Sequence, residues 1–238
     1  MVPLSKLLDP SAHWRFWRRI LSDIGLFLNT YAPPSVVVAY VKGLLINTWL
    51  TKPYVADQQV FGSIYPSLKL SNDWFTWCIP YWLSVFHDYK LHSKSKVDAL
   101  EIGSWEGLSS LFILKTLANA TLTCVDTWEG ADEHKTLDAS TKEALDHIET
   151  AFDTNLSSFK DRLIKYKGTS FSYFNDCPDR NRFDLIYVDG SHRCDDVIID
   201  AIKCFELLKV GGIMIFDDYF WKYYARATDN PAAPSIYF

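Results

Sequence analysis

The chain has 238 residues, of which 48% are hydrophobic and 22% are charged, and its formal net charge is −5. This length is enough to bury the core of one α/β domain with an extension. The acidic balance argues against a nucleic-acid partner, because such proteins normally carry a basic face. The five cysteines form no CxxC motif and are odd in number. They predict reduced thiols in a cytoplasmic protein instead of disulfides or a zinc site.

The amino-terminal residues predict two helices ahead of the main fold. The first has no signal-peptide pattern before it and carries an apolar stripe, formed by Trp14, Trp17, Leu21, Ile24 and Leu28. We expect it to pack on the core or on a second subunit of a homo-oligomer; contact with a membrane surface is the less favoured alternative. The second, over 35–50, contains Lys42, Gly43 and Asn47, which predicts a buried or interface helix and not a membrane span.

The next region leads to the first strand. Residues 51–71 hold Pro53, Gly62 and Pro66, a pattern typical of a connecting segment that could close over a site. From Asn72 the sequence predicts an aromatic helix with a kink at Pro80. A polar joint then places the domain boundary at about residue 93. We therefore predict a helical extension over 1–92, serving as a lid or an oligomer interface, and a ligand-binding domain over 93–238.

A strand, a glycine-containing turn and a second strand predict a nucleotide site. The strand over 97–102 contains Glu101 and is followed by Gly103 and Gly107, which let the backbone turn tightly beneath a ligand at a helix amino terminus. The second strand, 122–126, ends in Asp126, where a carboxylate can accept both hydroxyls of a ribose. Positions 105 and 106 hold no glycine, so the dinucleotide motif GxGxxG is absent and an NAD site is poorly supported.

A charged loop and a helix follow the second strand. The loop EGADEHKTLD lies directly after a strand end, where it could close over substrate or serve only as a solvated connection. The helix after it is predicted from one apolar face, formed by Leu145, Ile148, Phe152 and Leu156.

The segment 183–219 predicts a parallel strand, helix, strand unit. Two short apolar runs, 185–188 and 213–216, have the composition of strands buried on both faces. Between them, apolar residues recur at helical spacing, and Gly211 with Gly212 is expected to stop that helix; the residues are Val197, Ala201, Phe205 and Leu208. The unit predicts a doubly wound, mainly parallel Rossmann-like sheet, in which ligands bind at the carboxyl ends of the strands.

Three aspartates, Asp189, Asp217 and Asp218, follow these two strands. If the strands are neighbours, roughly 4.8 Å apart, the carboxylates crowd together, which is unfavourable without a cation or shared protons. An all-oxygen cluster suits Mg²⁺, with Mn²⁺ or Ca²⁺ as alternatives. The competing interpretation is that Asp189 caps a helix and the pair is merely solvated. His192 is a candidate base at the same edge, or simply a polar residue in the first helical turn.

Taken together, these motifs resemble a known family. Glu101-x-Gly103-x-x-x-Gly107 followed by Asp126 resembles the first two motifs of the class I S-adenosylmethionine-dependent methyltransferases. The phrases VDTWEG, YVDGSH, LKVGGIMIFDDY and NPAAPSIYF are similar to the subgroup containing the metal-dependent O-methyltransferases of macrolide and other antibiotic sugars. The resemblance covers about residues 72–238.

The resemblance implies S-adenosylmethionine and a divalent metal as cofactors, and it implies site residues. Those implied for the cofactor are Gly103, Ser104 and Gly107 at its methionine part, Glu101 supporting that loop, Asp126 at the ribose, and Trp128, Thr169 and Ser170 near the adenine, with Gly168 before them. Those implied for the metal are Asp189, Asp217 and Asp218. Members of the family differ in the proton acceptor: His192 matches it in some, and an aspartate takes the role in others.

The implied activity is metal-assisted O-methylation of a small hydroxylated acceptor, a sugar or a glycosylated molecule. A catechol-type phenol is the enzymatic alternative, and a non-catalytic partner protein with the same fold is the alternative from another class. The family fold normally ends in an antiparallel hairpin, for which few residues remain after the DDY phrase, so we expect either a sheet reduced to five strands or a chain that was cut short.

Overall fold

The computed structural model describes residues 34–131, 134, 145–177 and 179–231, together with residues 18, 21, 22, 24, 25 and 27. Its centre is a five-stranded parallel sheet with the strand order β3-β2-β1-β4-β5. The strands are β1 Val97–Ile102, β2 Ala120–Asp126, β3 Leu163–Lys167, β4 Phe183–Val188 and β5 Leu208–Phe216. This order confirms the doubly wound fold, and it reverses between β1 and β4, which is where ligands bind in such sheets.

Helices connect the strands and precede them. They are α1 Pro34–Thr51, α2 Val55–Gly62, α3 Ile79–Asp88, α4 Leu108–Thr116, α5 Ile148–Asn155, α6 Ser170–Asp176 and α7 Cys194–Leu207. Short 3₁₀ helices lie between several of them. No helix in this described part of the chain combines the length and the apolar character needed to cross a bilayer.

Two hydrophobic clusters cover the two faces of the sheet, because successive residues of a buried strand point to opposite sides. In β4, Leu185 and Tyr187 belong to one cluster, and Ile186 and Val188 belong to the other. The first cluster contains residues of α2, α3, α4 and α5, and the second contains residues of α6 and α7. The division into domains 1–92 and 93–238 stays a prediction.

The region before β1 differs from the expectation in two ways. Residues 51–71 are not an irregular connection, because they contain α2 and two 3₁₀ helices. Pro80 does not kink a long helix either; it lies in the first turn of α3. A proline is favourable there because the first amide groups of a helix have no intrahelical partner to lose.

Two helix predictions also need correction. The helix after β4 ends at Leu207, and Gly211 and Gly212 lie inside β5, where the pairing with β4 changes register. Phe205, placed on the apolar stripe of that helix, is 70% exposed, while Cys204 and Leu207 are buried instead. In α1 the described side chains between Pro34 and Gly43 are mostly exposed, so burial within this chain is contradicted for that half, and an interface role stays a prediction.

Several expectations concern residues that lie outside the described part of the chain or next to it. Trp14, Trp17 and Leu28 of the predicted stripe, most of the charged loop, and residues 232–238 lie outside the described part of the chain. Within that part, β5 is the last strand. All five cysteines are buried and free, which agrees with the prediction of reduced thiols.

Candidate active site

A cavity of about 820 Å³ opens at the carboxyl ends of the strands, within the range of ~300–1,000 Å³ typical of small-molecule sites. Its floor is held by main-chain hydrogen bonds that continue past the strand ends: the Gly103 amide donates to Val125, and the Asp189 amide donates to Ile102. Most residues expected in a site line this cavity. They are Gly103, Ser104, Asp126, Gly168, Thr169, Ser170, Asp189, His192, Asp217 and Asp218.

The glycine loop, defined as residues 103–107, adopts a backbone that its glycines permit. Gly103 and Gly107 have φ angles of +82° and +83°. A Cβ on Gly103 would lie 2.0 Å from the carbonyl oxygen of Asp189. Only glycine fits there, because the conformation is left-handed and the backbone after β4 occupies the space of a side chain. The loop and the end of β4 are therefore in direct contact.

Glu101 supports this loop from below. It is fully buried in β1, and its carboxyl accepts hydrogen bonds from the hydroxyls of Ser104, at 2.7 Å, and Ser109, at 2.6 Å, and also from Ser110. Burial raises the pKa of Glu101, and the donated hydroxyl bonds act against that rise. The acid thus ties the loop to the first turn of α4 without facing the cavity.

Asp126 lies at the end of β2 and faces both the loop and the cavity. One of its carboxylate oxygens accepts from the amides of Ser104, at 2.7 Å, and Trp105, at 2.9 Å. The other accepts from the amide of Trp128, at 2.7 Å. A ribose hydroxyl would therefore have to bind a carboxylate that already holds the loop. The oxygen that accepts from the Trp128 amide can accept a further hydrogen bond.

Besides Glu101, two residues implied for the cofactor do not line the cavity. The Trp128 indole is buried beneath it, 4.9 Å from the Phe152 ring, with the Lys165 ammonium 4.5 Å above its ring centre. This indole, expected near the adenine, therefore does not line the cavity in the structure. Gly107 lies immediately before α4, and a Cβ there would lie 2.6 Å from the Leu156 side chain, so a glycine at this position allows close packing.

The acid cluster, defined as Asp189, Asp217 and Asp218 with His192, lies at the ends of β4 and β5. Val188 pairs with Phe216, so the aspartates that follow them emerge side by side. The amide of Asp217 donates to the carbonyl of Val188 at 3.0 Å. The predicted convergence of these acids at one edge of the sheet is therefore observed.

A buried tyrosine joins two of the acids. The Tyr187 hydroxyl is 3.0 Å from an Asp189 oxygen and 2.5 Å from an Asp217 oxygen. Burial raises the pKa of Asp189 to about 7, and the negative charge of Asp217 contributes in the same direction, whereas a hydrogen bond with His192 opposes the rise. A single hydroxyl has one proton, so a protonated Asp189 could donate to Tyr187 while Tyr187 donates to Asp217.

The group with metal-ligand spacing differs from the expected trio of aspartates. Ligand atoms of Asp189, His192 and Asp218 lie within 4.8 Å of one another. The His192 Nε2 atom is 3.4 Å from Asp218 and 3.8 Å from Asp189. Asp217 is outside this group, and its oxygens accept from the Tyr187 hydroxyl and from the Asp218 amide. His192 thus has the position of a ligand as well as that of a base.

Sequence reasoning missed three residues that line the cavity, and also Tyr187, which contacts two acids of the cluster. The sequence pattern marks Tyr187 only as a strand residue and Glu106 only as a position without glycine. In the structure, the Glu106 carboxylate accepts from the Ser71 amide at 2.7 Å and lines the cavity. Asp200 and Trp221 also line it. For Asp200, the signal available in the sequence was an acid on the inward side of a helix.

Comparisons with solved structures give distant similarities. A provisionally assigned O-methyltransferase from Klebsiella pneumoniae is 15% identical, with coverage of 83% of this chain and 81% of the other and a TM-score of 0.47. The O-methyltransferase TomG from Streptomyces achromogenes, involved in tomaymycin synthesis and solved with SAM, is 16% identical, with coverages of 63% and 64% and a TM-score of 0.43. Cofactor-bound Rv0187 from MTB is 15% identical, with coverages of 79% and 74% and a TM-score of 0.42.

Comparisons of sequence give one family. No curated protein matches the chain. A family model described as a methyltransferase domain matches residues 100–219, just over half of the chain, from β1 through the acid cluster. The chain therefore belongs to the methyltransferase domain family, which confirms the expected assignment as an S-adenosylmethionine-dependent methyltransferase.

Proposed function

We propose that this protein transfers a methyl group from S-adenosylmethionine to a hydroxyl of a sugar or a glycosylated small molecule, with a divalent cation bound beside the cofactor. The observation that carries the proposal is that the glycine loop and the acid cluster face the same cavity. A donor lying over the loop would have its sulfonium group beside the acids. The family match supports the methyl transfer, and the acids support a hydroxyl acceptor that must lose a proton.

Residues at three strand ends are proposed to hold the cofactor. Gly103 and Ser104 would receive its methionine part, and Asp126 would accept from its ribose. Thr169 and Ser170, at the start of α6, line the cavity beyond β2 and would lie near the base. The Thr169 hydroxyl accepts from the Ser172 amide at 3.1 Å, which fixes this helix start.

The donor set at β4 and β5 fits a divalent cation. Asp189, His192 and Asp218 would hold it, since two carboxylates and an imidazole converge there and the like charges repel without a positive partner. When bound, the cation would supply a Lewis acid that lowers the pKa of an acceptor hydroxyl. The imidazole makes Mn²⁺ a stronger candidate beside Mg²⁺ than an all-oxygen trio would.

The chain's own residues must then align the reactants and take a proton. Transfer from a sulfonium is an in-line displacement, in which the new oxygen–carbon bond forms as the carbon–sulfur bond breaks. The glycine loop fixes the donor side, and the acid cluster fixes the acceptor side. An aspartate of the cluster takes the hydroxyl proton, or His192 does when its lone-pair nitrogen is not bound to the cation, and Tyr187 holds two of the carboxylates in place.

The side chains that line the cavity indicate which acceptors would fit it. The indoles of Trp74, Trp105 and Trp221 line it, and indole faces pack well against the apolar faces of sugar rings and against aromatic rings. A sugar with vicinal hydroxyls is the first candidate. A catechol-like phenol is the second, favoured by the same indoles.

Metal removal tests the proposed chemistry. We expect EDTA treatment to abolish methyl transfer and added Mn²⁺ or Mg²⁺ to restore it, while the affinity for S-adenosylhomocysteine, measured by calorimetry, changes little. Full activity without metal would contradict the metal-assisted mechanism.

An acceptor panel tests the substrate class. Transfer of labelled methyl groups to glycosides should exceed transfer to catechols under the same conditions. The reverse order would favour the phenol acceptor, and silence across a broad panel, with cofactor still bound, would favour a non-catalytic role.

A further inference from the structure

A buried acid outside the acid cluster lines the cavity from the helix α7. Asp200 lies on α7 and is 2% exposed, yet it lines the cavity. Its Oδ1 atom has no hydrogen-bond partner among the described residues. Burying a carboxylate oxygen without a hydrogen-bond donor costs at least the free energy of desolvating that atom. A ligand group that donates to this oxygen would offset the cost.

The neighbours of Asp200 indicate which part of a ligand it would meet. Its Oδ2 atom lies 3.7 Å from the position of a Cβ on Gly190, and the Ser170 side chain is near enough to its carboxyl to lower the pKa of that carboxyl. Ser170 follows β3, at the opposite edge of the sheet from β5 and the acid cluster. If the sulfonium faces that cluster and the ribose faces Asp126 at β2, the base of the donor extends toward Ser170 and Asp200.

Among the described residues, the groups that act on the Asp200 carboxyl are a second anion, Asp196, and a neutral hydroxyl, that of Ser170. Burial raises the pKa of its carboxyl to about 6, and the charge of Asp196 adds to the rise, while the Ser170 hydroxyl opposes it. Above that pH the group is mostly an anion, which can only accept hydrogen bonds. The complementary ligand group is therefore a donor.

We propose that Asp200 accepts a hydrogen bond from the exocyclic amine of the cofactor's adenine and thereby selects adenine over bases with a carbonyl at that position. The inference rests on the proposed function, since it places S-adenosylmethionine in the cavity. In a hypoxanthine base the amine is replaced by an oxygen, which would face the carboxylate as a second acceptor. Hydrogen bonds to charged groups make such discrimination about tenfold to hundredfold.

Calorimetric titration with S-adenosylhomocysteine and S-inosylhomocysteine tests this on the full chain. The wild type should prefer the adenosyl compound by about tenfold to hundredfold. The variant Asp200→Asn should reduce or reverse that preference, because its amide can donate to the hypoxanthine oxygen. The variant Asp195→Asn, on the exposed side of the same helix, is the matched control and should keep the wild-type preference.

The other outcomes of the titration separate the role of Asp200 from the cofactor assignment. Equal binding of the two compounds by the wild type overturns the role of Asp200 without relying on any variant, and so does an unchanged preference in Asp200→Asn. Binding of neither compound by the wild type overturns the cofactor assignment itself. Thermal unfolding of each variant shows whether a loss of binding reflects a loss of folding.

Discussion

The two ends of the cavity satisfy their polar groups in opposite ways. At the glycine loop, Glu101 and Asp126 are surrounded by donors from the protein itself, three hydroxyls for the first and three amides for the second. At the acid cluster, Asp189 and Asp217 share the hydroxyl of Tyr187, and Asp218 lies 3.4 Å from His192. The first end is internally balanced; the second concentrates negative charge.

This difference suggests a division of labour. A loop held by internal bonds is preorganised and can bind a cofactor without rearranging. A cluster of like-charged acids is stabilised when a cation or a protonated partner enters. Changes at the loop should therefore affect folding and cofactor affinity, and changes at the cluster should affect turnover.

The largest expected effect is at the cluster. Asp218→Asn should lower the methyl-transfer rate by ~10³-fold, because it replaces a charged cation ligand with a weaker neutral one and removes a charge near the reacting oxygen. The affinity for S-adenosylhomocysteine should stay within about threefold of the wild type. Asp217→Asn, which alters the neighbouring acid but not that group, is the matched comparison and should reduce the rate less. Equal losses would remove the distinction between them.

The next largest effect is expected at Gly103, where the glycine loop contacts the Asp189 carbonyl. Gly103→Ala should destabilise the fold by about 3 kcal/mol or more and weaken cofactor binding, because its Cβ would collide with the Asp189 carbonyl. Gly211→Ala has a similar strain, with φ of +77° but nothing within 4 Å of the added Cβ, and should destabilise less. Urea unfolding measures both. Similar losses in the two variants would show that the collision has no role.

A smaller effect concerns Asp200 and pH. Its folded pKa of about 6 exceeds the ordinary value of 3.8, so the folded state holds the proton more tightly, and the stability that this supplies below pH 3.8 is lost as the pH rises through 6. Asp200→Asn does not titrate. Its stability relative to the wild type should therefore increase by about 2 kcal/mol between pH 3.5 and pH 7, as measured by urea unfolding without cofactor. A difference independent of pH would contradict the raised pKa.

The smallest expected effect is at Tyr187. Tyr187→Phe keeps the ring in the core but removes the hydroxyl that joins Asp189 to Asp217, so the carboxylates should be less well oriented and the rate should fall by about tenfold. The affinity for S-adenosylhomocysteine should not change. A variant with wild-type rate at saturating metal and acceptor would show that the hydroxyl is dispensable.

The sequence predicted the sheet well because its strands are short, apolar and followed by acids or glycines. The runs ending at Ile102, Asp126 and Val188 are strands in the structure. Pro80 was ambiguous, since the same residue can kink a helix or begin one, and only the packing of α3 decides. Gly211 and Gly212 were misread for a similar reason: glycine can end a helix or sit at an irregularity within a strand.

The site was predictable to the level of strand ends but not of individual contacts. Parallel strands place their carboxyl ends together, so the convergence of Asp189 and Asp217 follows from the fold. Which oxygen faces which donor depends on side-chain conformation. Tyr187 precedes Asp217 by thirty residues, and nothing in the sequence shows that its hydroxyl occupies that carboxylate.

The most direct test of the account is a crystal structure of the chain grown with S-adenosylhomocysteine and Mn²⁺, with anomalous diffraction recorded at the manganese edge. The account predicts an anomalous peak in contact with Asp189 and Asp218, beside the sulfur of a cofactor lying over the glycine loop. A cavity with cofactor but no ion at the acids, or an ion bound elsewhere, would contradict it.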